Sequence, residues 1–342
     1  MRTESTTSRR LPLLALLAAL ALSGSALADG MPFPPYMYEM YETDQIAYID
    51  HDADTDTEEL HILPVFRGDA TDFAWVVPTP SVPVVAESND QIFWQCAQLS
   101  APVYRNRDSF WGCQDNYYDT IALPGNEDGV TIYSHDLVGI YDVLVLGASD
   151  AAALADSLTA WGYLHEDNVD AVLPVLEAYV TDGWSFTAMR ISEEAFGGQE
   201  YWYGGVDPVK FTFASEEIVY PMRISAQGSA ETCDVVLYVV ADHRMTFDDA
   251  RTDYANRLTA DELAAVRHQY SILGSMLDEG DFITKLSRTF TPAEMNEDLV
   301  LERASSDEEF KQVHYSGVPI TLGLLMAVGV GLQALKRRRR RD

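Results

Sequence analysis

Residues 138–191 read VGIYDVLVLGASDAAALADSLTAWGYLHEDNVDAVLPVLEAYVTDGWSFTAMRI, and this stretch decides the fold class of the chain. Its first part, Val138 to Leu146, alternates apolar side chains as a β-strand does. Ser149 then stands where a helix cap is expected, and Gly162 where a helix stop is expected. Between them, apolar residues recur at the spacing of one helix face: Leu154, Leu158 and Trp161.

A second helix and a second strand complete this stretch. Val169 to Val180 is predicted to be helical, with Pro174 as a kink and Gly183 just beyond the end. Trp184 to Ile191 follows as a strand. The stretch therefore predicts two strands that enclose a helix pair.

The flanking sequence adds strands on both sides and helices near the end. Further strands are predicted at 45–50, 60–66, 73–77, 209–213, 218–224 and 234–240. Capping boxes at Thr259–Glu262 and Thr291–Glu294 predict C-terminal helices. This order predicts an α+β fold with a mixed or antiparallel sheet, a central helix pair and C-terminal helices, rather than a regular βα alternation.

The N-terminus has the form of a secretory signal peptide over residues 1–28. Arg9 and Arg10 precede an uncharged apolar run, and Ala26-Leu27-Ala28 matches a small-x-small cleavage site. The run of about 12 residues is shorter than the roughly 20 that span a bilayer. The paired arginines leave Sec and Tat export both open, with Sec favoured because Pro12 breaks the Tat pattern.

The C-terminus carries a second apolar segment, residues 317–335, that contains no charge. At a rise of 1.5 Å per residue it would extend roughly 28 Å as a helix, close to the hydrocarbon thickness of a bilayer. The basic stub at 336–342 resists translocation. We therefore expect one transmembrane helix, a large domain outside the cytoplasm and a cytoplasmic stub, with proteolytic removal of the helix as the alternative.

The composition limits the classes of protein that the body, residues 29–316, can form. The chain has 54 acidic and 23 basic residues and a net charge of −31, which excludes an extended nucleic-acid interface because phosphates would be repelled. At 47% hydrophobic residues it can build a core, as one large or two modest domains. Its acidity indicates a well-solvated surface, or binding of divalent cations.

The acidic run from Asp50 to Glu59 does not match a calcium loop. An EF-hand that started at Asp50 would place Thr55 where Gly is needed and His61 where Glu is needed. We interpret the run as an exposed connection between two strands.

No catalytic pattern is visible along the sequence, so we predict no catalytic, cofactor or metal residue and no cofactor. The neighbours Ser134, His135 and Asp136 would point to alternate faces of a strand and cannot form a triad among themselves. Ser149 lies in a partial nucleophile-elbow pattern, but a helix cap explains it better.

Three cysteines would lie in an oxidising compartment. We predict a disulfide between Cys96 and Cys113, which would stabilise by about 3 kcal/mol in the loop-entropy model. Two other pairings are open. Cys233 is expected to be a buried thiol, and a catalytic cysteine is the alternative.

Five segments follow one another along the body in a recognisable order: 28–35 (ADGMPFPP), 73–81 (FAWVVPTPS), 138–143 (VGIYDV), 179–184 (YVTDGW) and 219–225 (VYPMRIS). With these segments, the stretch from Asp29 to about Arg303 resembles a bacterial family, the domain of unknown function 2330 family. The similarity covers most of the mature chain, and it implies an exported, often membrane-anchored protein without implying an activity.

Two functions remain open at this point. The first is an extracytoplasmic binding or scaffold module of the bacterial envelope, tethered in the lipid bilayer and acting on an envelope protein or ligand. The second is an envelope hydrolase whose site is spread over several loops. The missing catalytic pattern favours the module, although active sites assemble in space and not along the sequence.

Overall fold

The computed structural model describes residues 31–33, 40–68, 73–104, 129–191, 207–227 and 232–314. The predicted signal peptide, the predicted transmembrane segment 317–335 and Cys113 lie outside these ranges. Among the helices in the described ranges, none combines the length and the apolar composition that a bilayer span needs.

Strands dominate the described residues. In chain order they are β1 (Met31–Phe33), β2 (Met40–Asp52), β3 (Thr57–Gly68), β4 (Phe73–Thr79), β5 (Val84–Glu87), β6 (Val103–Tyr104), β7 (Val130–Val138), β8 (Tyr141–Ala148), β9 (Ser185–Ile191), β10 (Val209–Ala214), β11 (Ile218–Tyr220), β12 (Cys233–Ala241), β13 (Met245–Thr246), β14 (Arg251–Arg257), β15 (Phe282–Phe290), β16 (Leu299–Arg303), β17 (Phe310–Lys311) and β18 (Val313–His314).

Helices are fewer. The α-helices are α1 (Asp90–Leu99), α2 (Ala151–Ala160), α3 (Val169–Asp182), α4 (Ala260–Gln269) and α5 (Leu273–Met276). Short 3₁₀ turns lie at Glu166–Asn168, Arg223–Gln227 and Pro292–Glu294. The predicted α+β class is confirmed.

Two large sheets form the body. The larger has the order β17-β14-β15-β12-β2-β3-β10-β5, and the smaller has the order β1-β4-β9-β8-β7. The larger sheet is mixed, because β2 and β12 run parallel while its other pairs are antiparallel. Two small sheets, β11-β16-β13 and β6-β18, complete the described topology.

Three apolar clusters arrange these elements in four layers. One cluster lies between the two large sheets and includes Trp75, Val143 and Leu237. The α2–α3 pair covers the outer face of the smaller sheet. Helices α1, α4 and α5 cover the outer face of the larger sheet. Central strands such as β8 and β12 are therefore buried on both faces, which explains their nearly continuous apolar sequence.

The stretch 138–191 forms the predicted helix pair but divides its first strand differently. Val138 to Leu146 was predicted as one strand, which is wrong: Val138 ends β7, and Tyr141 starts β8. Gly139 has φ +58 in the tight turn between them, a conformation that glycine tolerates. The first helix is capped by Asp150, whose side chain accepts a hydrogen bond from Ala153 N, and not by Ser149 as predicted.

The C-terminal part contains less helix than predicted. The capping box at Thr259 is confirmed and begins α4. The capping box at Thr291 is also present, but it begins only the three-residue turn Pro292–Glu294. The predicted strand 218–224 ends at Tyr220 and continues as a 3₁₀ turn.

Candidate functional site

A salt-bridged arginine joins the helix pair to the C-terminal part of the chain. Arg223 Nε lies 2.6 Å from Asp298 Oδ2, and Arg223 Nη2 lies 2.8 Å from Asp182 Oδ2. The guanidinium also stacks 4.2 Å from the centre of the Tyr179 ring and 5.8 Å from that of Trp184. We call this group of five side chains the Arg223 cage.

The Asp298 carboxylate in this cage is almost fully saturated by donors. Its Oδ1 accepts hydrogen bonds from Tyr179 Oη at 2.5 Å, Met222 N at 2.8 Å and Arg223 N at 3.0 Å. The side chain is 7% exposed, so its charge depends on these partners. Burial raises the pKa of Tyr179 well above its usual value, so the phenol remains a donor.

An open cleft of about 500 Å³ adjoins Asp298. Its lining residues include Phe247 and Phe290, whose rings stack with centroids 6.3 Å apart and planes at 23°. Both rings belong to the buried core. Other residues that line this Asp298 cleft are Asp248, Arg288, Glu294 and Glu297.

The charge in the cleft is mainly negative. Among the described residues, Arg288 is the one basic side chain that lines the cleft. Its Nη2 pairs with Glu294 at 3.1 Å, and its guanidinium lies 4.3 Å above the Phe290 ring. Hydrogen bonds from Thr291 lower the pKa of Glu294, so that carboxylate is ionised at neutral pH. Asp248 and Glu297 are exposed at the rim, and in the part of the chain that the structure describes neither makes an ion pair. The arrangement can therefore accept a cationic group beside the apolar side chains of Leu299 and Val300.

A family model described as an uncharacterized protein conserved in bacteria (DUF2330) matches residues 43–302. The chain belongs to this family. Among curated proteins, no sequence match was found. The crystal structure of baculovirus P35 is similar over 83% of this chain and 100% of that chain, with 12% identity and a TM-score of 0.34. A similarity at that level carries no argument about fold or function.

Two of the segments that carry the resemblance to the DUF2330 family meet in the Arg223 cage. Segment 179–184 contributes Tyr179, Asp182 and Trp184, and segment 219–225 contributes Arg223. Neither the cage nor the cleft was predicted. Asp298 lies far along the chain from both segments, and no local pattern marks it as their partner.

Only one cysteine of the predicted disulfide lies within the described residues of this DUF2330 chain. Cys96 is buried on α1, and Cys113 lies outside the described residues, so the pairing stays a prediction. Burial raises the pKa of the Cys96 thiol. Cys233 starts β12 and is buried, as predicted.

The acidic run forms a hairpin turn, but one of its members is buried. Asp52 accepts hydrogen bonds from Asp54 N at 2.8 Å and from Thr55 Oγ1 at 2.8 Å, so it stabilises the turn. In the described ranges, no group of three His, Cys, Asp or Glu side chains is placed to hold a metal. Glu58 was predicted to be exposed, which is wrong: it starts the buried face of β3 beside Leu60 and is fully buried.

The sequence neighbours Ser134, His135 and Asp136 do not form a triad. His135 Nε2 instead lies 2.5 Å from Asp142 Oδ1, and Arg190 Nη2 lies 3.2 Å from Asp142 Oδ2. Asp142 belongs to the segment 138–143 that resembles the DUF2330 family. The sequence analysis did not single out this His135–Asp142 pair.

Proposed function

We propose that this chain is a membrane-anchored protein of the bacterial envelope, whose large domain lies outside the cytoplasm and binds a cationic, partly apolar ligand in the Asp298 cleft. The cleft is the observation that carries the binding part of the proposal. Its volume of about 500 Å³ is in the range of sites that hold small ligands or one or two side chains of a peptide.

The charge and the apolar lining of the cleft define the ligand chemistry. Asp298 is neutralised by Arg223, and Glu294 by Arg288. Asp248 and Glu297 then supply negative charge at the rim that no ion pair in the described residues compensates. Leu299 and the exposed Val300 supply apolar surface in the same lining. A lysine or arginine side chain fits this order, because its stem is apolar and its end is cationic.

The two ends of the sequence support the location. The signal-like residues 1–28 direct the body across the membrane, and 317–335 followed by the basic stub would hold it there in the lipid bilayer. An acidic body of this kind would attract basic segments of envelope proteins. We therefore propose such a protein segment as the partner.

A titration tests the binding. Full-length protein in detergent is titrated with a tetralysine peptide, and with a tetraglutamate peptide as the charge-reversed probe. We expect binding of tetralysine alone, weakened at least about tenfold in the double variant Asp248→Asn, Glu297→Gln. The control is Asp156→Asn, which removes an exposed acid on α2, outside the cleft.

Equal weakening by the control and the double variant would show general charge attraction and not a site. Calcium at millimolar concentration is titrated in parallel, because divalent-cation binding is the competing function for this acidic chain. If the wild type releases or absorbs heat on binding calcium and the double variant does not, the cleft is a metal site and the peptide proposal is wrong.

The location is tested separately. Protease added to intact spheroplasts should digest the body of a tagged chain and spare a tag fused after Asp342. Protection of the body would refute the envelope location. If mass spectrometry of the mature protein places its C-terminus near residue 316, the anchor is removed by proteolysis and not retained.

A further inference from the structure

Three polar side chains converge on the outer face of the larger sheet, away from the Asp298 cleft. His61 Nδ1 lies 2.7 Å from Ser88 Oγ, and His61 Nε2 lies 3.8 Å from Glu59 Oε2. Glu59 and His61 are two positions apart on β3 and share a face, while Ser88 follows β5. Strand β10 lies between β3 and β5, and its pairing brings the serine to the histidine.

The surroundings favour a neutral imidazole beside an ionised carboxylate. His61 is buried, with 5% of its side chain exposed, and this burial lowers its pKa. Contacts with His61, and with Lys210 Nζ at 3.0 Å, lower the pKa of Glu59 to about 2. The carboxylate lies beyond hydrogen-bond distance of Nε2, at 3.8 Å, and acts on the imidazole through its charge, which favours the tautomer with the proton on Nε2. That tautomer leaves Nδ1 free to accept the hydroxyl proton of Ser88.

Ser88 also lies at a junction that suits a nucleophile. Asn89 caps α1, so Ser88 is the residue between the end of a strand and the cap of a helix. Ser88 is half-buried and directly precedes the N-cap of α1, and the positive end of a helix stabilises a nearby oxyanion. Ser88 N is held by the carbonyl of Pro208 at 3.0 Å, which keeps the residue in position.

We propose that Ser88 and His61 are catalytic residues for the hydrolysis of carboxylic esters, with Glu59 as the positioning residue. This activity goes beyond the binding function proposed above and does not depend on it. Ser88 Oγ attacks the ester carbonyl carbon while its proton passes to His61 Nδ1. The tetrahedral intermediate then collapses, and the leaving alkoxide takes that proton from the imidazolium. Water attacks the acyl-serine with His61 as base, and the carboxylic acid leaves with Ser88 restored.

The charges near the site indicate the class of ester. Asp90 lies in the first turn of α1, whereas the nearby cation Lys210 is already paired with Glu59 at 3.0 Å. Asp90 would repel an anionic substrate. An uncharged or cationic ester is therefore the substrate class.

A serine-directed probe and a neutral ester test the proposal on the full-length protein in detergent. We expect a fluorophosphonate probe to label the peptide that contains Ser88, and p-nitrophenyl butyrate to be hydrolysed. Ser88→Ala should abolish the labelling and lower kcat at least about 100-fold. The matched control is Ser149→Ala, since Ser149 also stands between a strand and the cap of a helix, but its hydroxyl donates to Gly129 O and no histidine of the described residues bonds to it.

Glu59 and His61 are tested with melting temperature measured in parallel. Glu59→Gln should lower kcat about tenfold with KM unchanged, and Glu59→Asp should restore part of the loss, which a purely structural role would not do. His61→Gln should abolish labelling while the melting temperature shows that the chain is folded.

Three results would overturn the proposal: no hydrolysis and no labelling of the wild-type chain, labelling of another serine, or equal rates for Ser88→Ala and Ser149→Ala. Asp156→Asn, an exposed substitution on α2 that belongs to neither site, should hydrolyse the ester at the wild-type rate. The ester site and the Asp298 cleft share no residue, so failure of the ester assay leaves the peptide titration as an independent result.

Discussion

Replacing Glu58 by glutamine should change how the stability of this chain depends on pH. Glu58 is fully buried on β3, where its Oε2 accepts a hydrogen bond from Val219 N at 2.9 Å. Its Oε1 has no hydrogen-bond partner in the structure. Burial raises the pKa of this carboxyl from 4.5 to about 8, so the folded chain holds the proton at neutral pH. Glutamine keeps the shape of the side chain and its acceptor oxygen, but it has no group that titrates in this pH range.

The sign and the size follow from proton linkage. Above its ordinary pKa of 4.5, the carboxyl ionises in the unfolded chain while it stays protonated in the folded one. The stabilisation is therefore complete below about pH 4.5, and it is lost as the pH rises toward about 8. At about 1.4 kcal/mol per pH unit, the wild-type free energy of unfolding should fall by about 3 kcal/mol relative to Glu58→Gln between about pH 5 and pH 7.5.

Urea unfolding followed by tryptophan fluorescence measures this difference at both pH values. Glu177→Gln, an exposed substitution on α3, is the control and should track the wild type. The reasoning is refuted when the gap between wild type and Glu58→Gln stays constant across the range, or when the wild type gains stability relative to the variant as the pH rises.

Three further changes test the packing and the covalent structure. Asp298→Ala should lower the free energy of unfolding by about 3 kcal/mol, because it leaves the cage guanidinium without its closest partner; a loss below 1 kcal/mol in urea would contradict the cage. Gly274→Ala should destabilise by about 2 kcal/mol, since its Cβ would lie 2.6 Å from backbone of α4, whereas Gly147→Ala meets only the end of an exposed tyrosine side chain. Equal melting temperatures for these two variants would show that the contact at Gly274 relaxes. Non-reducing peptide mapping should find Cys96 linked to Cys113, and a bridge to Cys233 would rule that pairing out.

The sequence predicted the elements better than it predicted their ends. The 3.6-residue spacing of Leu154 and Leu158 gave the helix α2, and Gly183 ended α3 in the left-handed conformation expected of it. Val138 to Leu146 was read as one strand because apolar residues continue across the turn at Gly139. A glycine inside an alternating run was the available signal for that turn.

Burial of acidic residues depends on register, which composition does not show. Glu58 shares its strand face with Leu60 and Ile62, and counting back from these by twos would have placed it inside. The other acidic residues of the run, such as Asp56 and Glu59, hid that pattern.

The two sites proposed here depend on pairings between distant parts of the chain. Ser88 and His61 meet only because β10, which comes more than a hundred positions later, lies between their strands. Asp298 lies between β15 and β16, and it contacts Arg223 only once this late segment has packed against the rest of the chain. No spacing within a local window carries such information.

The parallel pairing of β2 with β12 sets the order in which the chain can fold. These neighbours lie at the centre of the larger sheet, yet residues 53–232 separate them in sequence. As the chain emerges from a ribosome or a membrane pore, β2 can form a hairpin with β3 but has no second neighbour until residues 233–241 arrive. High contact order of this kind slows folding, so the larger sheet stays incomplete until β12 is available. Truncations that end before β12 should therefore remain prone to aggregation, with a long strand edge left uncovered.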